Sequence, residues 1–456
     1  MTFLIFFVFA YIYLGSILIL QEDRPVSGTV QQDYLDIVYQ SELENEQIDG
    51  AQISVNASLT RLFPYYTDGE LGPFWPWLMR PYSDLPPPDL LKRGQWINLF
   101  VTCSLLVFLG IAAANAFSFP GAIAILSIGG FGILLERSTY FSPDAFYYLT
   151  IVLVWLCVLT LIRRNQLWHY ALLGALLSVA YLLKPMIWPI IVGFLIVSLG
   201  RTLGYWIRYR RQADLNVSED TWNPTNQLVG FAMLVTAFVL IAGPSFSFAN
   251  ERFGSPFHAY SKYSVWMDSP EEAELFRMNH PSRDELLAIA DEDRPSLSNL
   301  IDRLGWGGVL GRASEGAANQ ISGSALSRTG WLLAYGLAIV VIAALFHRWV
   351  TKRQSQEIWQ LRGTHAFWML LFAGIVTFLT LGYTGIADPV IRGHPMTTSL
   401  FVPIWLTFIW IAERYRRQLQ RSRFGILVNR VYLALLSIPI GWVCWRVFQA
   451  LRIPLA

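Results

Sequence analysis

The chain has 456 residues, of which 54% are hydrophobic, 15% aromatic and only 14% charged, and its mean hydropathy is +0.41. That composition excludes a soluble globular protein and indicates a polytopic membrane protein. The net charge of +2 is too slight and too scattered for nucleic acid, and Cys103, Cys157 and Cys444 all lie in apolar runs that offer neither a disulfide framework nor a metal-ligand spacing.

A helix needs roughly 17 to 25 apolar residues to cross about 30 Å of hydrocarbon, and about eleven runs approach that length. They extend from Thr2 to Leu20, Trp96 to Ala116, Phe119 to Leu135, Ala145 to Ile162, Leu167 to Leu183, Met186 to Gly200, Gln227 to Phe248, Gly330 to Phe346, Ala366 to Gly382, Met396 to Ile411 and Val431 to Phe448. The expected fold is an all-α polytopic membrane protein of about eleven transmembrane helices with two large external loops. Its parts are a first helix over 1–20, an external loop over 21–95 with catalytic and interfacial helical segments, and helices two to seven over 96–248. A large external loop or cap over 249–329 and helices eight to eleven over 330–456 complete it.

Threaded from a cytoplasmic N-terminus, these runs place Arg163 and Arg164, Arg201 to Arg211, Arg348 to Arg362 and Arg414 to Arg430 inside, and most acidic residues outside. Basic residues concentrate in cytoplasmic loops, so the asymmetry supports that orientation. It also leaves no carboxylate within a span. The first run lacks a basic leader and a small-residue cleavage site, and reads as a retained anchor.

The first loop carries Gln31-Gln32-Asp33-Tyr34-Leu35-Asp36-Ile37, then an acidic stretch, then Tyr65 to Trp77 with Asp68, Glu70, Trp75 and Trp77. Tryptophans in such a setting settle at headgroup depth, so Trp75 and Trp77 read as interfacial anchors. Pro86-Pro87-Pro88 forms a stiff lead into the second helix. The short connection Glu136 to Asp144 holds Arg137 and Asp144, and the carboxylate could cap the following helix. Lys184-Pro185 ends the fifth run, where a lysine either snorkels or binds a phosphate. In the second loop, Glu271 to Asp293 reads as charged helix, Gly305 to Gly308 as a turn, and the whole as a small cap packed on the first loop. Arg392-Gly393-His394-Pro395 precedes the tenth run, a combination suited to an oxyanion.

These passages, in this order, resemble the GT-C superfamily of membrane glycosyltransferases, in particular the group of protein O-mannosyltransferases and the bacterial lipid A aminoarabinose transferase. The likeness rests on the carboxylate loop after the first helix, Gly72-Pro73-Phe74-Trp75-Pro76-Trp77, Ser142-Pro143-Asp144, Lys184-Pro185, Asn250 to Phe257, and Arg392 to Pro395 with Pro403. It implies a GT-C-like fold and transfer of a sugar from a polyprenyl-phosphate donor to a lipid, glycan or protein acceptor on the external face. By position Asp33, then Asp36 and Asp144, are the catalytic candidates. Lys184, Arg392, His394 and Arg137 are candidates for the donor phosphate, and Asp68, Glu70, Trp75 and Trp77 for the acceptor and the interface. The chain departs from the pattern where relatives carry an aspartate three or four residues before a tyrosine. If Tyr34 is that tyrosine, Val30 or Gln31 stands there. The register has shifted, the base lies elsewhere, or activity is lost.

The implied chemistry is direct displacement with inversion, a carboxylate taking the acceptor's hydroxyl proton and cations stabilising the departing phosphate. Asp33 and Asp144 could hold a divalent cation, although no ligand cluster requires one. Membrane lipids are expected partners, nucleic acid is not, and arginine-rich usage suits a bacterial inner membrane with the site facing the periplasm. A transporter would set ionisable groups at mid-membrane, where this sequence has none, and a non-catalytic carrier-binding scaffold is the other alternative.

Overall fold

A computed structural model describes residues 2–21, 31, 34–35, 38, 72–211, 224–253, 255–257, 261–280, 283–290, 293–323, 325–352, 363–390, 395–420 and 424–452. Among these residues the chain is helical and contains no strand. Hydrocarbon offers no partner to a backbone N–H or C=O, so a spanning segment must satisfy both within its own helix.

The helices are α1 (Thr2–Gln21), α2 (Phe74–Met79), α3 (Pro87–Ala116), α4 (Phe119–Ser138), α5 (Asp144–Arg163), α6 (Leu167–Leu183), α7 (Trp188–Arg211) and α8 (Pro224–Phe253). They continue as α9 (Pro270–Asn279), α10 (Arg283–Ala288), α11 (Leu297–Gly323), α12 (Ala325–Lys352), α13 (Gly363–Ala387), α14 (Phe401–Leu419) and α15 (Gly425–Arg452). Among the described residues, eight helices are long and apolar enough to cross a membrane, and three shorter apolar helices, Leu167–Leu183, Trp188–Gly204 and Trp331–Leu345, coincide with the remaining runs. The polytopic expectation holds, with eight spans supported by length and composition where about eleven were expected.

Burial orders the bundle from inside to outside. The span containing α14 is 94% buried and α5 is 78% buried, whereas α8 is only 11% buried although just as apolar. An apolar face left uncovered on a long helix faces lipid, as with Phe378 on α13 and Leu240 on α8. The core helices are pinned by few polar contacts. Trp155 Nε1 on α5 donates to Thr407 Oγ1 on α14 at 2.8 Å, and its ring lies 4.6 Å from that of Phe372 on α13.

Elsewhere close backbone approach accompanies polar contact. A Cβ on Gly174 of α6 would stand 2.2 Å from the Leu234 carbonyl oxygen of α8. Beside it Ser178 Oγ donates across to Phe238 O at 2.9 Å. Small residues with a hydroxyl are a usual means of joining helices in lipid, where apolar area supplies little drive.

Local sequence explains where the helices differ from expectation. α3 begins at Pro87, nine residues before the apolar run, because prolines at the first two helical positions lack only N–H groups that would be unpaired anyway. Gly305, at φ 66, bends α11, and the helix resumes at once, so the expected turn there is a kink. Glu413 lies two residues beyond the tenth run, yet α14 continues to Leu419 and buries that carboxylate among Tyr432 (3.0 Å), Arg416 (2.8 Å) and Ser118. A carboxylate therefore does lie at the end of a candidate span, contrary to the sequence expectation.

We expect Gly174→Ala to destabilise the protein by about 1–3 kcal/mol through overpacking against a backbone that cannot swing away. Gly374→Ala, where nothing lies within 4 Å of the added Cβ, should be neutral or slightly stabilising. Thermal unfolding of both variants in one detergent checks the contrast.

Candidate functional site

At the junction of α4 and α5 the chain must reverse while keeping its carbonyls satisfied away from water. Asn98, buried on α3, supplies the donor. Its amide nitrogen lies 3.0 Å from the carbonyls of Tyr140 and Ser142 and 3.3 Å from that of Arg137. The Phe141 N–H donates to Gln31 Oε1 at 2.8 Å, and Tyr11 OH donates to Ser138 Oγ at 3.0 Å. The connection is thus held from three sides by α1, α3 and the segment around Gln31.

That segment belongs to a small apolar cluster. Gln31, Tyr34, Leu35 and Val38 are helical and buried, and their spacing makes one helical face. Tyr34, Leu35 and Val38 pack with Trp75, Met79, Leu90 and Phe141. The Phe141 ring meets Trp75 edge-on at 5.6 Å and lies against Gly94, where a Cβ would come within 2.2 Å of it.

Held this way, the connection places Arg137 and Asp144 at its two ends. Asp144 is the first residue of α5 and is buried. Lys184, directly after the end of α6, brings Nζ to 2.5 Å from Asp144 Oδ1, and Arg137 brings a guanidinium nitrogen to 3.6 Å from Oδ2. One buried acid stands between two bases, Glu136 lies beside Arg137, and the Arg137 side chain is the more accessible cation, 28% exposed against 8% for Lys184.

Two further passages reach the same end of the bundle. Gly72 abuts the last turn of α6, where a Cβ would stand 2.1 and 2.2 Å from the carbonyl oxygens of Leu182 and Leu183, just before Lys184. Tyr147 OH, on the first turn of α5, donates to Met186 O at 3.0 Å. The short helix Pro395–Ser399, which follows Arg392-Gly393-His394 in sequence, packs against α5. Passages far apart in the chain, at Gly72 to Trp77, Ser142 to Asp144, Lys184 and after His394, therefore converge.

Of the sequence candidates, Asp144, Lys184 and Arg137 come together. Asp33, Asp36, Asp68, Glu70, Arg392 and His394 lie outside the described residues. Trp75 is not an interfacial anchor: it is wholly buried beside Phe141 and Phe146, with no hydrogen-bond partner for Nε1 among the described residues. Trp77 is half-buried beside Phe74. Lys184 does not snorkel, because the Asp144 carboxylate offers its ammonium a nearer partner than the membrane surface does. Nor does Asp144 serve as the N-cap, a position taken by Pro143 without a side-chain bond.

Sequence reasoning missed Asn98, Gln31 and Tyr147. The only available signal for Asn98 was an amide inside an otherwise apolar run, which in lipid must find a partner.

The second large loop forms its own cluster. Arg312 on α11 pairs with Asp268 at 2.7 Å and donates to the carbonyls of Val265, Met267 and Ile386, tying the loop to the end of α13. Burial pushes the Arg312 guanidinium below its usual value, and Asp268 opposes that shift. Among the described residues the anchor of this segment is α13, where the sequence suggested the first loop.

Among the described residues no three His, Cys, Asp or Glu side chains gather in a way that could hold a metal ion. In comparisons with known proteins, no family model matches the chain, and neither a curated protein nor a solved structure does.

Asp144→Asn would leave two cations beside an amide in a buried setting, and we expect a loss of about 3–5 kcal/mol. Adding Lys184→Met should recover part of that loss. Thermal unfolding of the single and double variants reads both outcomes.

Proposed function

We propose that the protein is a membrane glycosyltransferase of the GT-C kind, moving a sugar from a polyprenyl-phosphate donor to a lipid, glycan or protein acceptor. The observation that carries this reading is the Asp144, Lys184 and Arg137 cluster, with its partly exposed arginine at the helix ends where four motif passages meet. In this proposal all eleven apolar helices cross a bacterial inner membrane, the N-terminus is cytoplasmic and the cluster faces the periplasm.

The chemistry follows from the charges. The acceptor hydroxyl attacks the anomeric carbon, the bond from that carbon to the phosphate oxygen breaks, and its electron pair leaves with the phosphate. A first-loop carboxylate, Asp33 with Asp36 next, takes the proton. Arg137, with Lys184 behind it, stabilises the charge that develops on the leaving phosphate. Asp144 positions the two cations, since a carboxylate 2.5 Å from an ammonium is engaged already.

A second reading is favoured by one contact. If Tyr34 is the tyrosine of the pattern, Val30 or Gln31 takes the place of its aspartate; both are uncharged, and the Gln31 carbonyl oxygen is taken by the Phe141 N–H. A carrier-lipid-binding scaffold without the transfer step would have this form.

Transfer of radiolabelled sugar from a panel of polyprenyl-phosphate donors to membrane extract separates the two. With one donor active, Asp33→Asn or Asp36→Asn should reduce transfer by about 10²–10⁴-fold. Arg137→Gln should reduce it by about 10²-fold while the protein remains folded. Absence of label with every donor would reject the enzyme and leave the scaffold, and unchanged transfer in all three variants would reject the roles given to Asp33, Asp36 and Arg137.

A further inference from the structure

α11 lies where the second large loop returns to the bundle. Beyond the bend at Gly305 its longer limb, 306–323, ends one residue short of α12. The limb rests on the Ala387 end of α13, where Gly316 and Gly385 each come so close to the other helix that a Cβ would collide with its backbone. Arg312 donates to Ile386 O at 2.9 Å, and Asn319 and Gln320 donate to the Asp388 carboxylate at 3.1 and 2.6 Å. These contacts take in about 12 Å of α11 but only about 5 Å of chain at the end of α13, so the limb crosses that end. It therefore sits at the depth where the span His365–Ala387 leaves the hydrocarbon.

The helical repeat divides the limb into three faces. Val309, Gly316 and Gln320 are buried on one of them, together with the Arg312 side chain. On one flank Trp306, Leu310 and Ile321 are 65%, 66% and 46% exposed. On the other Glu315, Asn319 and Ser322 are exposed, with Glu315 about 140° around the helix from Leu310. The limb's charged residues are Arg312, on the buried face, and Glu315, so the flank of Trp306 carries no charge.

Such a flank is unfavourable in water, and nothing among the described residues covers it. A helix with an apolar flank, a polar flank on its far side and a seat on the end of a span has the build of an interfacial helix. Tryptophan settles at headgroup depth, which is where Trp306 then lies. α12, reached after one residue, exposes Trp331, Leu337 and Val341 as lipid-facing helices do, and so carries the apolar exposure on into the bundle.

We propose that α11 is an interfacial helix, its Trp306, Leu310 and Ile321 flank lying in the lipid leaflet at the Ala387 end of α13 and its Glu315 flank in water. The partner is the lipid surface, and the second large loop rests on the membrane through this helix. The assignment is independent of the transfer chemistry.

The full chain carrying Cys444→Ser, in phosphatidylcholine bilayers, keeps Cys103 and Cys157 as its native cysteines, both buried. A nitroxide is attached to Leu310→Cys, Ile321→Cys or Glu315→Cys in turn. Its collisions with oxygen, which partitions into lipid, and with a nickel chelate, which stays in water, are then measured. Oxygen should relax the labels at 310 and 321 more strongly than the chelate does, and the order should reverse at 315. Chelate-dominated labels at 310 and 321 would place the flank in water, and labels shielded from both would place it under protein, such as a second copy of the chain. Either result, or an oxygen-dominated label at 315, overturns the proposal. Trp306 gives a reading that needs no cysteine: the emission lost in Trp306→Phe should be quenched by brominated phosphatidylcholine in the wild type, and an unquenched difference overturns the proposal as well.

Discussion

The contact between Asp144 and Lys184 is the constraint around which the outer end of this bundle is built. A buried carboxylate and a buried ammonium are each unfavourable alone, so neither helix end can be placed without the other. Asp144 opens α5 and Lys184 follows α6, and these two helices are joined at their opposite ends by a turn of only three residues. The ion pair therefore closes a helical hairpin at its open end. What surrounds it serves the same placement: Asn98 and Gln31 hold the connection before Asp144, and Gly72 lies flush on the backbone before Lys184.

How much of this was legible in the sequence depends on the kind of signal. The apolar runs were legible because a membrane helix needs no periodicity, only length and the absence of charge, and each run corresponds to a helix. Helix ends were less so. Asp89, Lys92 and Arg93 in the first turns of α3 and Glu413 in the last turns of α14 interrupt the apolar composition without interrupting the helix. Hydropathy marks where hydrocarbon begins, whereas hydrogen bonding decides where the helix does.

At the candidate site the charged residues were legible and their partners were not. Arg137, Asp144 and Lys184 stand out because charge is rare in this chain, and a charge beside an apolar helix requires a counter-charge. Asn98, Gln31 and Tyr147 carry no pattern that separates them from ordinary span residues, and only their contacts across the chain identify them. Trp75 was misread for a related reason. Tryptophan suits both the headgroup layer and a buried aromatic cluster, and its sequence neighbours do not distinguish the two.

Among the described residues, three acidic residues share one arrangement, a single carboxylate between two cations: Asp144 with Lys184 and Arg137, Glu413 with Arg416 and Arg417, and Asp268 with Arg303 and Arg312. Stoichiometry alone therefore does not mark a functional site. Asp268 is more than half exposed, where screening makes ion pairs worth little, and its main effect is to orient Arg312, which donates to the loop carbonyls. Glu413 is buried, but its hydroxyl partners Ser118 and Tyr432 come from α15 and the start of α4, so it reads first as a clasp of three helix ends. Asp144 differs in its setting. The start of α5, the end of α6 with Gly72 against it and the short helix Pro395–Ser399 meet there, and the Arg137 side chain keeps over a quarter of its surface open at that junction, where a cation positioned by a buried acid could meet a ligand.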